Sequence, residues 1–155
     1  MQQFKNLNVG ISIDGIGSVF EYMRYPLKWS DICSNLKIFR EMTDNISVTC
    51  TTSNVNVMYF PQMIDWFDEN DLPYHYNPVI NPKHFRPSAL PLDVKEILLQ
   101  RHGHIPGMRF FLEGSHNDID DTDFLIMKEQ LALQDKIKKI NIRDYLPEFC
   151  NLIGL

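Results

Sequence analysis

Leu7-Asn8-Val9-Gly10-Ile11-Ser12-Ile13-Asp14 alternates strictly, with Leu7, Val9, Ile11 and Ile13 on one face of an extended chain and Asn8, Gly10, Ser12 and Asp14 on the other. Period two predicts a β-strand with one apolar and one polar side. The period then changes. Over residues 29–42, Trp29, Ile32, Leu36 and Phe39 recur at helical spacing, with Ser30 as the expected N-cap. Residues 46–53 return to period two, Ile46, Val48 and Cys50 opposing Ser47, Thr49, Thr51 and Ser53. Phe60, Met63, Ile64 and Phe67 then fit one face of a helix, and Pro61 suits its first turn. A third strand is expected over 74–80, Tyr74, Tyr76 and Ile80 opposing His75, Asn77 and Val79. A third helix is expected over 92–101, with Leu92, Ile97 and Leu98 as its apolar positions.

Three consecutive strand–helix units predict an α/β fold with parallel strands joined by right-handed crossovers. Parallel sheets are usually apolar on both faces, yet each strand here keeps a polar or small side. Helices are therefore expected on one side only, leaving a wet concavity, a ligand-lined lumen or a face that something else covers. The same pattern also allows an antiparallel α+β sheet with its polar face in solvent. Residues 78–91 carry Pro78, Pro82, Pro87 and Pro91 and read as an irregular loop. Met108–Leu112 suits a short strand or a helix. Phe124–Lys139 reads as an amphipathic helix with Ile126, Leu133, Ile137 and Ile140 on its apolar side. Acids before it, and Lys136, Lys138 and Lys139 at its end, complement the helix dipole. The expected organisation is a β/α unit over 5–104 and a mainly helical C-terminal extension over 105–155, packed together.

Composition bounds the function. The chain has 155 residues, 44% hydrophobic, enough for one domain with a real core. Its longest apolar runs, Val57–Phe60 and Phe124–Met127, are far too short to span a bilayer, and the first residues show no secretory signal pattern. A net charge of −5 argues against broad capture of nucleic acid, although Lys136, Lys138 and Lys139 cluster. Cys33, Cys50 and Cys150 form neither a CxxC nor a pairing framework, so a reducing, cytoplasmic setting is expected.

Ser12-Ile13-Asp14-Gly15 falls where the first strand ends, and parallel α/β folds bind ligands at the carboxyl ends of strands. Arg24, in the following connection, offers a guanidinium that can take a carboxylate bidentately. The plainer account is a strand-end turn with Arg24 on the surface. Asp118, Asp120, Asp121 and Asp123, with Glu129 as the twelfth residue counted from the first, hint at a calcium loop, but Asp123 stands where the loop needs glycine. The competing account is a helix start capped by Asp120, Asp121 or Thr122. His75, His84, His102, His104 and His116 contain no HExxH, and His102-Gly103-His104 alone is a weak metal signal. No nucleophile elbow, Walker loop or GxGxxG is present. Cys50 lies on the apolar side of its strand and reads as a core thiol.

Taken in order, several of these motifs resemble the second half of a radical S-adenosylmethionine enzyme core of the twitch-domain branch. They are Ile11-Ser12-Ile13-Asp14-Gly15, an Arg a short loop later, Asn35-Leu36 in a helix and a Thr/Ser-rich strand. Asn56 before a helix ending in Asp65-Trp66-Phe67 follows, then Asn77-Pro78-Val79-Ile80-Asn81-Pro82, the Pro87–Pro91 stretch, and a tail with Arg143-Asp144-Tyr145-Leu146-Pro147-Glu148-Phe149. The resemblance covers residues 7–153. It implies half of an open (β/α)6 barrel, the chain supplying the fourth to sixth strands. It further implies that Ser12 and Asp14 line the cofactor side, that Arg24 lies near the methionine carboxylate, and that Thr51 and Asn77 belong to the lumen wall. The family's CxxxCxxC, whose thiolates hold the iron–sulfur cluster, is absent, as are the first three strands.

The isolated chain is therefore expected to be catalytically silent and to hold no cofactor. S-adenosylmethionine and a cluster are expected only if a missing N-terminal half completes it. Three functional expectations follow: a half-barrel remnant or natural fragment, folded but silent, one subunit of a split enzyme whose partner supplies the cluster, or a non-catalytic binding or assembly module. In the last, a homo-oligomer would cover the open edge strand; in the split enzyme the missing N-terminal half would cover it.

Overall fold

The computed structural model describes residues 6–114 and 119–155. Three strands, β1 (Val9–Ser12), β2 (Ile46–Thr52) and β3 (Tyr74–Pro78), form one sheet in the order β1-β2-β3, and both pairings are parallel. Helices α1 (Gly17–Met23) and α2 (Trp29–Met42) connect β1 to β2, α3 (Phe60–Glu69) connects β2 to β3, and α4 (Leu92–His102) follows β3. The fold is α/β, and the antiparallel alternative is excluded. The rest is helical: α5 (Met108–Glu113), α6 (Asp121–Lys138), α7 (Ile142–Tyr145) and α8 (Pro147–Ile153).

The alternation read in β1 and β2 decides how the sheet is covered. Ile13, Ile46, Val48 and Cys50 are buried, whereas Gly10, Ser12, Thr49, Thr51, His75 and Asn77 are exposed. Among the described residues, α3 packs on the apolar side of the sheet. Phe60 and Phe67 of α3 meet Tyr76 and Tyr74 of β3 with ring centroids 5.1 and 5.3 Å apart, and the Cys50 thiol lies 3.6 Å from the Met63 sulfur. Trp29 of α2 stacks edge-on against Trp66 of α3 at 4.9 Å. The same apolar core continues into the C-terminal helices through Met127, Leu131, Leu146 and Phe149. Among the described residues, no helix is long and apolar enough to cross a membrane.

Four local expectations need correction. Strand β3 stops at Pro78, so the alternation breaks there and Ile80 is exposed rather than core-facing. Leu92 is likewise exposed; Val94 and Leu98 carry the buried side of α4. Ser30 is not the N-cap of α2, which begins at Trp29 after Lys28. The Trp29 N–H donates instead to Glu21 Oε1, 3.2 Å away on α1, while Lys28 binds the other oxygen and holds the Glu21 carboxyl below its usual range. Finally, α6 buries Asp123, Met127 and Leu131, leaving Ile126, Leu133 and Ile137 exposed. The helix has two apolar sets, and spacing alone does not say which one a core will take.

Candidate functional site

The carboxyl end of the sheet brings the sequence-predicted residues together. Register sets Ser12 beside Thr49 and His75 in one row across the exposed face, and Thr51 beside Asn77 in the next. Asp14, two residues beyond Ser12, turns inward. Its Oδ1 accepts from the Thr51 backbone N–H at 2.8 Å, replacing the strand pairing that ends there. Its Oδ2 accepts from Arg24 Nε at 2.8 Å and Nη2 at 2.5 Å. The guanidinium thus binds through one edge to a carboxylate already in the chain, and only Nη1 and the free hydrogen of Nη2 remain for an incoming anion. Arg24 reaches back because α1 is short and packs closely on the strand end. A Cβ at Gly15 would collide with Val19 and come within 3.1 Å of the Phe20 nitrogen, so glycine serves close approach here, not turn flexibility.

Asn56, which the sequence reading quoted but gave no role, is the clasp of this site. It is buried, and its Nδ2 donates to the Asp14 and Thr51 carbonyls, both at 2.8 Å. Its Oδ1 accepts from the Ser53 N–H at 2.7 Å. One side chain thereby ties the ends of β1 and β2 together at the turn that leads into α3. The neighbouring Asn54 does the same toward the proline-rich loop, its Nδ2 donating to the His84 carbonyl at 2.7 Å and its N–H to Phe85 at 3.1 Å. The Val79 N–H to Thr52 carbonyl bond, 2.8 Å, carries the β2–β3 pairing one step past the strand. A site floor held by buried side chain–backbone bonds is preorganised.

Beside this floor opens a cleft of about 270 Å³ between the strand ends and α6. Val55, Val79 and Leu131 give it apolar walls, and Ser53, Asn81 and Gln134 add polar groups. Lys138 closes one side: its Nζ donates to the Tyr22 carbonyl at 3.4 Å and sits 5.1 Å over the Tyr22 ring. Burial lowers the Lys138 pKa, partly offset by Asp135. Asp135 is held by the Tyr22 hydroxyl at 2.9 Å and the Ile142 N–H at 2.6 Å, and burial, then this carboxylate, raise the pKa of that hydroxyl. The combination of apolar walls, amides and one cation suits a flat apolar body with a polar edge. No local pattern in the sequence points to this cleft, because α6 joins it from a distant part of the chain.

His102 and His104 border a separate groove of about 400 Å³ on the helical side of the sheet, with Tyr74, Tyr76, Asp65 and Asp68. Burial, and then the charges of Arg101 and His104, lower the His102 pKa. Among the described residues, no three His, Cys, Asp or Glu side chains converge as metal ligands do. Of the suggested calcium loop, Asp118 lies outside the described residues, as does His116. Asp120 caps α6 by accepting from the Thr122 N–H at 2.8 Å, and the buried Asp123 accepts from the Asp120 N–H at 3.1 Å and from Lys83 at 3.0 Å. Those acids build a helix start.

The three thiols do not meet. Cys50 and Cys150 are buried in the core, and Cys33 is half-buried on α2. Burial, reinforced by the Asp14 charge, pushes the Cys50 thiol up to about 12, and burial also raises Cys150. At pH about 8 neither forms much thiolate, so a maleimide or disulfide reagent is expected to label Cys33 alone in the folded chain. Intact-mass analysis checks this, and rapid labelling of all three would contradict the burial.

No protein-family model, no curated protein and no solved structure matches this chain.

Proposed function

We propose that the chain is one half of an open (β/α)6 barrel of the radical S-adenosylmethionine type, a lumen wall that meets the cofactor and is catalytically silent alone. The observation that carries this reading is the bare hydrophilic face of a parallel sheet. Gly10, Ser12, Thr49, Thr51, His75 and Asn77 are exposed on the side that an ordinary α/β layer buries under helices. The outer edge of β1 has no partner strand among the described residues. Three further β/α units from another segment or polypeptide would pair that edge and curve the face into a lumen. The cleft at the strand ends then lies where a nucleoside-bearing cofactor binds, with Ser12, Asp14, Arg24, Thr51 and Asn77 on the neighbouring strands and strand ends and not in its lining. The residues present do not fit an iron–sulfur cluster, since the three thiols lack the CxxxCxxC spacing, two being buried in the core on β2 and α8 and one half-buried on α2.

S-adenosylhomocysteine, the stable product analogue, tests the wall without the cluster. Titrated into isotopically labelled chain, it is expected to bind with a dissociation constant of about 1 mM. Amide shifts are expected to concentrate at Ser12, Thr51, Ser53, Asn77 and Asn81. Anaerobic reconstitution with iron and sulfide is expected to leave the isolated chain colourless. The absence of saturable shifts at those residues, or stoichiometric iron on the chain alone, overturns the reading.

A further inference from the structure

Helix α6 turns Met127 and Leu131 into the core and leaves Leu125, Ile126, Leu133 and Ile137 at 59, 37, 47 and 71% exposure. With the exposed Ala132 they make an apolar stripe along the outer side of the helix. Exposed Glu129 and Lys136 lie on the same stripe, Glu129 three residues after Ile126 and Lys136 three residues after Leu133. The helix is also charge-polarised: Asp120 and Asp121 mark its start, and Lys136 and Lys139 mark its end, all exposed.

We propose that this stripe docks a second copy of the chain, the two α6 helices packing antiparallel about a two-fold axis near mid-helix. Charge complementarity selects this occupant and this direction. Placed antiparallel, the acidic start of each helix meets the basic end of the other; placed parallel, like ends would meet and repel. With the axis opposite position 131, Leu125 of one copy meets Ile137 of the other. Glu129 comes within one helical turn of Lys136 across the axis, and Asp121 reaches Lys139. Each contact occurs twice, as an isologous interface requires. A helix of 18 residues is about 27 Å long. One helix pair covers less than the roughly 800 Å² per partner of a standard interface, so the association is weak. The stripe shares no residue with the polar sheet face, and the inference does not depend on the function proposed for that face.

Sedimentation velocity on the full chain tests it, from about 10 μM to about 1 mM. The expected result is a monomer–dimer equilibrium that weakens as salt screens the ion pairs. Leu133→Asp, at an exposed position, is expected to abolish the dimer with an unchanged melting curve. Glu129→Lys is expected to weaken it about tenfold, and adding Lys136→Glu to that variant is expected to restore it. A chain that stays monomeric throughout overturns the proposal. So does a dimer indifferent to Leu133→Asp, or one that the double charge reversal fails to restore.

Discussion

Asn56→Ala is expected to lower the free energy of unfolding by about 3 kcal/mol, with the fold otherwise kept. The substitution strips donors from the Asp14 and Thr51 carbonyls and an acceptor from the Ser53 N–H, all in a buried turn. Each buried polar group left without a partner costs about 1–3 kcal/mol. Partial relaxation keeps the sum well below three full penalties. Asn56→Asp is expected to be no better. It restores the acceptor toward Ser53 but turns an oxygen toward two carbonyl oxygens. Urea denaturation with an unchanged m-value measures both. By contrast Ser12→Ala, on the exposed face, is expected to change stability by less than about 0.5 kcal/mol. A loss below about 1 kcal/mol at Asn56 would mean that water replaces the clasp.

That contrast marks what the sequence discloses. The polar face was legible because period two is a local signal: Ser12, Thr49, Thr51 and Asn77 announce their side of the sheet from their neighbours alone. The order of strands and helices was legible for the same reason. Asn56 was not, because its bonds run to residues 14, 51 and 53, and nothing at 56 distinguishes a clasp from a turn asparagine. The cleft was hidden because Lys138 and Gln134 approach Val79 and Asn81 only after α6 has docked. Helix α6 itself misled because 124, 127 and 131 compete with 126, 133 and 137 for the core, and tertiary packing chose the first set. At β3 the alternation in the sequence outruns the strand: pairing reaches Val79 through the Thr52 carbonyl, but Ile80 already lies exposed beyond it.

Asp14→Ala is expected to cost about 2–3 kcal/mol, and Arg24→Ala less, about 1–2 kcal/mol. The asymmetry follows from burial. The Asp14 side chain is 8% exposed and serves two donors, so its loss frees both the Thr51 N–H and the guanidinium. The Arg24 side chain is 38% exposed, so water recovers part of what it loses and screens the pair. Removing Arg24 still leaves a nearly buried carboxylate with one donor, which is why the cost exceeds that of an ordinary surface pair. Arg24→Lys is expected to recover little, because an ammonium cannot present the Nε and Nη2 edge to one oxygen. The double variant is expected to show a coupling of about 1–2 kcal/mol. A coupling below about 0.5 kcal/mol would mean that the guanidinium is energetically free of Asp14. Arg24 could then swing whole to an incoming carboxylate, and a ligand would have the Nε–Nη2 edge that Asp14 otherwise occupies as well as the Nη1–Nη2 end that the pair leaves open.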